Sequence, residues 1–190
     1  MVKELKPSLR DDFMLFFDHV GFADNPEWSD CYCYPYHFAD RGRAENRRVA
    51  SNQIEESRIQ GFLAYRDGSP VGWCNAANRD NYPALHRLMR SNPNDLERVG
   101  SIVCFVVAPS HRSKGVASHL LNAACNKFSK EGLEYAEAYP LKEPPSAADN
   151  FPGPLSMYLR NGFTSHRDAD WYVVVRKLLQ TSPSTAELLL

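Results

Sequence analysis

One unbroken apolar run constrains the fold of this chain more than any other feature. Residues 102–107 read Ile-Val-Cys-Phe-Val-Val, with no polar residue between them. Such a run is typical of a strand that is buried on both faces of a sheet. We therefore predict a central strand over residues 101–108, which the rest of the fold must cover on both sides.

A helix and a second strand are predicted directly after this run. Apolar side chains recur at four-residue steps over residues 115–130, which indicates an amphipathic helix. Residues 135–139 then read as another strand. Because a strand–helix–strand unit is a crossover connection, we expect the two strands to lie parallel in one sheet.

The remaining patterns predict an α/β (α+β, mixed) protein. Further helices are expected over residues 8–21, 41–60, 85–89 and 155–161, and further strands over 62–66, 71–76 and 171–177. No linker or repeat divides the chain. We therefore predict a single domain over residues 1–178, helical over 1–60 and with its core over 61–178, followed by a flexible tail over 179–190.

Charge and cysteine content exclude several classes of protein. The chain has 22 basic and 23 acidic side chains and a net charge of −1, so nothing favours non-specific binding to nucleic acid or anionic membranes. No segment approaches the roughly 20 apolar residues of a membrane span, and no secretory signal is visible at the start. The five cysteines are odd in number and irregularly spaced, as in a protein with reduced thiols. We expect a soluble, cytoplasmic protein that binds neither nucleic acid nor membrane.

A turn with two cations and a glycine joins the central strand to its helix. Residues 106–117 read Val-Val-Ala-Pro-Ser-His-Arg-Ser-Lys-Gly-Val-Ala. A helix N-terminus presents unbonded N–H groups and the positive end of the helix dipole, which together favour an anion. Gly115 allows a close approach of the backbone to a ligand, and Arg112 and Lys114 add positive charge. The turn suits a pyrophosphate, although an ordinary strand–helix turn with two solvated cations would read the same.

Three segments in order along the chain resemble the GCN5-related N-acetyltransferases, the GNAT superfamily. Arg112, Gly115 and Ala117 match the signature [Gln/Arg]-x-x-Gly-x-[Gly/Ala] that lies between a strand and a helix of that family. Residues 64–73, Ala-Tyr-Arg-Asp-Gly-Ser-Pro-Val-Gly-Trp, are similar to the family's hairpin before the cofactor strand. Residues 157–163, Met-Tyr-Leu-Arg-Asn-Gly-Phe, are similar to its later Tyr-x-x-x-Gly-Phe segment.

The resemblance covers about residues 62–177 and implies both a fold and an activity. The fold is that of the GNAT acyltransferases, a central mixed, mostly antiparallel sheet with a parallel βαβ crossover and flanking helices. The activity is transfer of an acetyl group from acetyl-CoA to a primary amine of a small molecule, by direct attack in a ternary complex. Two alternatives stay open: an acyl-CoA-binding sensor or interaction module without turnover, and a protein or peptide N-terminal acetyltransferase. A homodimer also stays open.

The resemblance assigns acetyl-CoA binding to the central strand, the turn and one loop residue. In the family a bulge splays the cofactor strand, whose backbone holds the pantetheine arm, and an N–H group there can stabilise the oxyanion. The implied residues are Phe105, Val106, Val107, Arg112, Ser113, Lys114, Gly115, Val116, Ala117, Ser118 and Asn150. The three strand residues are expected in the core as well. Pro152 and Pro154 interrupt the spacing that would place Asn150 as in the family.

Tyr158 and Glu137 are the candidate catalytic residues. Tyr158 falls on the family's position for the general acid, and a phenol with a pKa of about 10 can donate to a thiolate whose conjugate acid has a pKa of about 8.5. A core aromatic residue would look the same. Histone-type members place a Glu eleven residues before Arg112, where this chain has Ser101, which is not a useful base. Glu137 is the nearest substitute on the next strand, unless it is a surface residue or a buried ion-pair partner; histidines and water are alternatives.

The region between the first two predicted helices is expected to form one wall of the acceptor site. Aromatic rings and carboxylates suit an amine through cation–π contacts and charge pairing. Together with one strand residue, the candidate substrate-binding residues are Trp28, Asp30, Tyr34, Tyr36 and Trp73. A satellite aromatic core under a long loop explains the same composition. Cys31, Cys33 and His37 offer three zinc ligands but no evident fourth, so we predict no metal site.

Overall fold

A seven-stranded sheet forms the centre of the computed structural model, which describes residues 1–33, 42–88, 97–146 and 149–180. The strands are β1 (Val2–Glu4), β2 (Gly61–Arg66), β3 (Ser69–Asn78), β4 (Val99–Val107), β5 (Tyr135–Ala138), β6 (Thr164–Asp168) and β7 (Val173–Leu178). The helices are α1 (Arg10–Leu15), α2 (Arg43–Glu55), α3 (Pro83–Leu88), α4 (Val116–Lys130) and α5 (Leu155–Arg160). The strand order is β1-β2-β3-β4-β5-β7-β6.

The sheet is mixed, as the sequence predicts. β4 and β5 pair in parallel, while the other neighbouring strands of the described sheet pair antiparallel. α4 connects β4 to β5, so the predicted βαβ crossover and the mixed α/β fold class are confirmed. The sequence patterns missed β1 and β6, which lie at the two edges of the sheet. β6 reads Thr-Ser-His-Arg-Asp with every side chain exposed, so it carries no apolar alternation to detect.

Helices cover the two faces of the sheet. On one face the ring of Phe13 in α1 meets the ring of Trp73 in β3 edge-on, with centroids 4.9 Å apart. A π-helical turn, Phe16–Val20, prolongs α1 over much of the helix predicted for residues 8–21. α4 covers the opposite face so closely that a Cβ atom on Gly100 would lie 2.3 Å from the ring of Phe128. The central strand is therefore covered on both faces, as its unbroken apolar run requires.

A bulge in β4 separates it from β5. Asn75 of β3 pairs with Cys104 and the next residue, Ala76, pairs with Ile102, so Val103 is an extra residue in β4. β5 follows β4 only as far as the pair Ile102 and Ala138. We call the opening between the rest of β4 and the end of β5 the splay; it is the feature that the family resemblance implies.

Several predicted element boundaries differ from the structure by a few residues. α2 begins at Arg43 and ends at Glu55, inside the predicted 41–60. At the start of the predicted tail, Leu179 is buried and its N–H donates to the carbonyl of Glu134 at 2.8 Å. Residues 181–190 lie outside the described residues. Within the described ranges, no helix combines the length and the apolar character that a bilayer crossing needs.

Candidate active site

The turn between β4 and α4 has an open backbone. Ser113 and Gly115 both have left-handed dihedral angles, with φ of 59° and 79°. Within the described ranges no atom would lie within 4 Å of a Cβ atom on Gly115, and residues 112–115 are exposed. A glycine at a positive φ with free space around it is what a close approach between backbone and ligand requires.

The first turn of α4 points unbonded N–H groups toward the open turn. The N–H groups of Val116, Ala117 and Ser118 have no partner within the helix, and the first backbone bond runs from His119 to the carbonyl of Gly115 at 3.1 Å. The residue at this end of the 15-residue helix is Gly115, which has no side chain with which to cap it. The helix dipole therefore favours an anion at these groups.

The two cations of the turn are held by the protein itself. The guanidinium of Arg112 donates to both carboxylate oxygens of Asp24, at 2.5 and 3.1 Å, and its Nε donates to the carbonyl of Val107 at 3.1 Å. This pairing lowers the pKa of the Asp24 carboxyl. Lys114 Nζ donates to the carbonyl of Ser110 at 2.8 Å. In this conformation both cations brace the turn, and Asp24, 88 residues before Arg112, gave no local signal in the sequence.

A short loop segment, residues 150–154, crosses the splay; we call it the strap. The N–H of Phe105 donates to the carbonyl of Phe151 at 2.7 Å. Gly153 has a φ of 87°, and a Cβ atom there would lie 2.8 Å from Met157. The strap therefore packs tightly, and it already binds one of the three backbone positions predicted to hold the pantetheine arm. Asn150, half-buried, accepts a bond at its carbonyl from the N–H of Gly153 at 2.9 Å.

Tyr158 lies directly under the strap. Its side chain is fully buried, with ring centroids 6.5 Å from Phe105 and 5.2 Å from Phe163. Its hydroxyl donates to the carbonyl of Pro152 at 2.5 Å. Burial raises the pKa of Tyr158 well above its usual value, and nearby cysteine thiols act in the same direction. The phenol therefore keeps its proton, as a general acid must, but in this structure it gives the hydrogen bond to the strap.

Glu137 belongs to a buried group of polar side chains. Its carboxylate accepts one bond from the hydroxyl of Tyr139 at 2.6 Å and another from Nε of Arg176 at 2.5 Å. Tyr139 Oη lies 2.9 Å from Ser101 Oγ, and Arg176 also pairs with Glu97 at 2.5 Å. Glu137 is 3% exposed and Ser101 is 0% exposed. The sequence left open whether Glu137 was a buried ion-pair partner, and the structure places it in that role.

Sequence patterns connect only two members of this polar group. Glu137 and Tyr139 share a strand face, as the predicted alternation requires, and Ser101 lies opposite Glu137 in the register of β4 and β5. Burial raises the pKa of Tyr139, and the charge of Glu137 adds to the shift. Arg176 comes from β7, where it pairs with Glu137 across the antiparallel register. Because Ser101, Glu137 and Arg176 are far apart in the sequence, no local pattern indicates that they are in contact.

The candidate acceptor residues are only partly brought together. Trp28 and Asp30 lie on the 3-10 turn Pro26–Cys31; the Trp28 ring is 38% exposed and Asp30 lies 3.4 Å from the guanidinium of Arg43. Trp73 is fully buried and donates from Nε1 to Cys33 Sγ at 3.1 Å, so it lies in the core beneath this face.

Two of the predicted acceptor residues, Tyr34 and Tyr36, lie outside the described residues, as does His37. In the part of the chain that the structure describes, no three His, Cys, Asp or Glu residues are grouped as metal ligands.

Comparison with known proteins agrees with this geometry. A model of the acetyltransferase (GNAT) family matches residues 19–148, about two thirds of the chain. The PaiA N-acetyltransferase of Thermoplasma acidophilum, in complex with coenzyme A, has a similar structure, with a TM-score of 0.57 and 14% identity over 94% of this chain and 99% of that chain. A GNAT-family acetyltransferase of Streptococcus pneumoniae gives a TM-score of 0.55 and 16% identity, over 94% and 98% of the two chains.

Another similar structure is that of the NatC complex bound to Gag peptide and coenzyme A, with a TM-score of 0.56 and 16% identity, over 94% of this chain and 98% of that chain. At such identities the likeness shows the fold. No curated protein matches the chain in sequence. The family match, the mixed sheet with its splay and the open turn before α4 lead to one conclusion: this chain belongs to the GNAT family and is an acetyl-CoA-dependent acetyltransferase.

Proposed function

We propose that this enzyme transfers the acetyl group of acetyl-CoA to a primary amine of a small molecule, by direct attack in a ternary complex. The observation that carries the proposal is the open, left-handed turn at Gly115 in front of α4, next to the splay between β4 and β5. The turn offers the cofactor's pyrophosphate an anion site, and the splay gives an extended arm access to the backbone of the central strand. When bound, acetyl-CoA supplies an acetyl group activated as a thioester.

The residues of the turn fit the phosphate part of the cofactor. The N–H groups of Val116, Ala117 and Ser118 are proposed to bind the pyrophosphate, because they are unbonded and lie at the positive end of a long helix. The open space at Gly115 admits the phosphate oxygens. Arg112, Ser113 and Lys114, together with Asn150, complete the proposed cofactor site.

The edge of β4 can accommodate the pantetheine arm once the strap moves away from Phe105. Phe105, Val106 and Val107 are proposed to bind the arm through their backbone, and a strand N–H is proposed to stabilise the oxyanion. In this structure the N–H of Phe105 is bonded to Phe151, and the hydroxyl of Tyr158 is bonded to Pro152. We therefore expect these two bonds to exchange when the site is loaded, which frees Tyr158 to donate its proton as the general acid.

The acceptor is proposed to enter on the face of the sheet that carries α1. Trp28 offers an exposed ring and Asp30 an exposed carboxylate, both of which favour a cationic amine. Glu137, on the same face, is the proposed final base. A small acceptor is favoured because Glu137 and Ser101, the polar side chains of this face next to the splay, are buried. A cytoplasmic location and the oligomeric state stay predictions from the sequence.

One observation favours the rival function, a module that binds acyl-CoA without turnover. Two of the groups proposed for the site, the N–H of Phe105 and the hydroxyl of Tyr158, are bonded to the strap. If the strap stays in place, neither group can act. Such a protein would bind the cofactor at the turn and release no thiol.

Calorimetry with acetyl-CoA, followed by a thiol-release assay over an amine panel, separates these functions. The panel should hold an alkyl monoamine, a polyamine, an amino acid, an aminoglycoside and a peptide with a free N-terminus. We expect binding and thiol release with at least one of the small amines. Binding with no release from any acceptor would establish the binding module, and release with the peptide alone would establish peptide N-terminal acetylation.

A further inference from the structure

The strap takes up a hydrogen-bond donor at the edge of β4 that faces the splay. The N–H of Phe105 donates to the carbonyl of Phe151 at 2.7 Å, whereas the N–H of Ala108 donates to Val71 of β3 at 3.0 Å. These opposite directions follow the alternation of N–H groups along an antiparallel strand. β5 pairs with β4 only as far as Ile102. At Phe105 the strap therefore replaces the missing strand.

The contact with the strap excludes a second acceptor. A backbone N–H carries one proton and makes one good hydrogen bond, whereas a carbonyl has two lone pairs and can accept two. The carbonyl of Val107 accepts from Nε of Arg112 at 3.1 Å and can still accept from a ligand. The N–H of Phe105 has no such second capacity. Because the pantetheine arm offers amide carbonyls, as the strap does, the arm and the strap compete for one proton.

The strap combines tight packing with an anchor at one end. Pro152 and Gly153 are buried, and the hydroxyl of Tyr158 donates to the carbonyl of Pro152 at 2.5 Å. Gly153 has a φ of 87°, which a residue with a Cβ atom rarely adopts. At the start of α5 the N–H of Met157 donates to the carbonyl of Pro154 at 2.9 Å. Moving the strap breaks its bonds to the splay and leaves this anchor intact.

We propose that the strap is a built-in competitor of acetyl-CoA: it covers the splay in the free protein, and the pantetheine arm binds only after the strap has left Phe105. The phosphate part of the cofactor meets no such competition, because residues 112–115 of the turn are exposed. The apparent affinity for the whole cofactor is then reduced by the fraction of molecules whose strap is open. The inference rests on the proposed function for the position of the arm, and it applies with or without turnover.

Hydrogen exchange detected by NMR tests the strap in the wild type. The N–H of Gly153 is buried and donates to the carbonyl of Asn150 at 2.9 Å. We expect saturating coenzyme A to raise the exchange rate of this N–H at least about threefold, because an open strap exposes it, while the N–H of Phe105 stays protected by its new acceptor. Adenosine 3′-phosphate 5′-diphosphate, the cofactor without its arm, should change neither rate. A loop that closes over a ligand exchanges more slowly, so an unchanged or slower rate at Gly153 with coenzyme A overturns the proposal.

A substitution at the same glycine tests the competition. Gly153→Ala places a Cβ atom at a φ of 87° and 2.8 Å from Cε of Met157, which destabilises the closed strap. We expect the affinity for coenzyme A, measured by calorimetry, to rise about five- to tenfold, because a residue with a Cβ atom disfavours the left-handed conformation by at least that factor. The affinity for adenosine 3′-phosphate 5′-diphosphate should stay within about twofold, because this ligand has no arm.

Gly132→Ala is the matched control for Gly153→Ala. Gly132 follows the end of α4, has a φ of 74°, and within the described ranges a Cβ atom there would lie 3.6 Å from its nearest neighbour, the side chain of Arg98. The substitution imposes the same backbone conformation on an alanine far from the strap. Its Tm should fall as that of Gly153→Ala does, while both ligands keep their wild-type affinity.

The outcomes separate this inference from the proposed function. If coenzyme A binds the wild type but Gly153→Ala folds and keeps the wild-type affinity, the strap is not a competitor and the cofactor site stands. An equal gain for coenzyme A and for the nucleotide without the arm would show an effect on the turn, which also overturns the competition. If Gly153→Ala fails to fold, the exchange rates of the wild type decide.

Turnover is measured separately. A wild type that shows the expected exchange rates but releases no thiol with any amine overturns acetyl transfer and leaves the strap as a competitor. A wild type that binds neither coenzyme A nor the nucleotide without the arm overturns both proposals.

Discussion

The cofactor turn and the buried polar group at the splay differ in how the chain builds them. The turn is continuous in sequence, exposed, and built mainly from backbone N–H groups in front of α4. The polar group takes one buried side chain from each of three strands, Ser101 of β4, Glu137 of β5 and Arg176 of β7, and a fourth from Tyr139 just after β5. Backbone groups at a helix end suit a phosphate whatever the side chains are, whereas a buried ion pair needs each partner in place. The two regions should therefore respond very differently to substitution.

The largest effect is expected from removing Arg176. Arg176→Met leaves the buried Glu137 without its countercharge, and breaking such a pair costs about 3–5 kcal/mol. Urea denaturation measures this free energy of unfolding. The matched control is Arg58→Met, because the pair between Arg58 and Glu56, at 3.1 Å, is exposed on both sides and is worth less than about 1 kcal/mol. Equal losses in the two variants would show that the polar group is hydrated and no different from a surface pair.

In the turn, Gly115→Glu should abolish function without unfolding the protein. The added carboxylate places bulk and negative charge where the pyrophosphate is proposed to bind, and we expect the affinity for coenzyme A to fall at least about 100-fold. Isothermal titration calorimetry measures it. Gly68→Glu is the matched control: Gly68, in the β2–β3 hairpin, also has a positive φ, 82°, and a Cβ atom there would have no neighbour within 4 Å. It should show a similar Tm shift and nearly normal affinity. An unchanged affinity in Gly115→Glu contradicts the assignment of the turn.

The same contrast explains how much the sequence could predict. The turn could be recognised because its glycine, its cations and its helix are neighbours along the chain. The pairing of Glu137 with Arg176 depends on sheet register, and the ion pair between Asp24 and Arg112 joins residues 88 positions apart. No local pattern encodes either contact, since each partner alone reads as an ordinary charged residue. Ser101 alone is not a useful base, and only the fold shows it beside Tyr139.

A smaller effect is expected at Tyr158, whose hydroxyl is bonded to the strap. Tyr158→Phe should lower kcat by about 10- to 100-fold and change the affinity for acetyl-CoA much less, if the hydroxyl is the general acid. Since burial raises the pKa of Tyr158, its protonated, active form persists to high pH, so this residue should cause no fall in wild-type kcat below about pH 10. Steady-state kinetics measure both. Phe163→Leu disturbs the same packing without touching the hydroxyl and should leave the kcat profile intact. Equal losses of kcat and affinity in Tyr158→Phe would point to packing.

The smallest effect is expected at Asp24, whose carboxylate pairs with the guanidinium of Arg112. Asp24→Asn removes a negative charge next to the anion site and releases the guanidinium toward it. Because exposed pairs are weak, we expect the affinity for coenzyme A to rise only about two- to fivefold, and the gain to shrink at high salt.

Arg112 lowers the pKa of Asp24. The ion pair between them therefore stays intact from neutral pH down through the ordinary titration range of a carboxyl, and it is lost only as the pH falls through the lowered pKa. Affinity in the wild type should therefore show no dependence on Asp24 between about pH 6 and 8. A weaker affinity for coenzyme A in Asp24→Asn would mean that the ion pair of Asp24 with Arg112 maintains the conformation of the turn. The turn would then also depend on a side-chain pair that only the fold brings together.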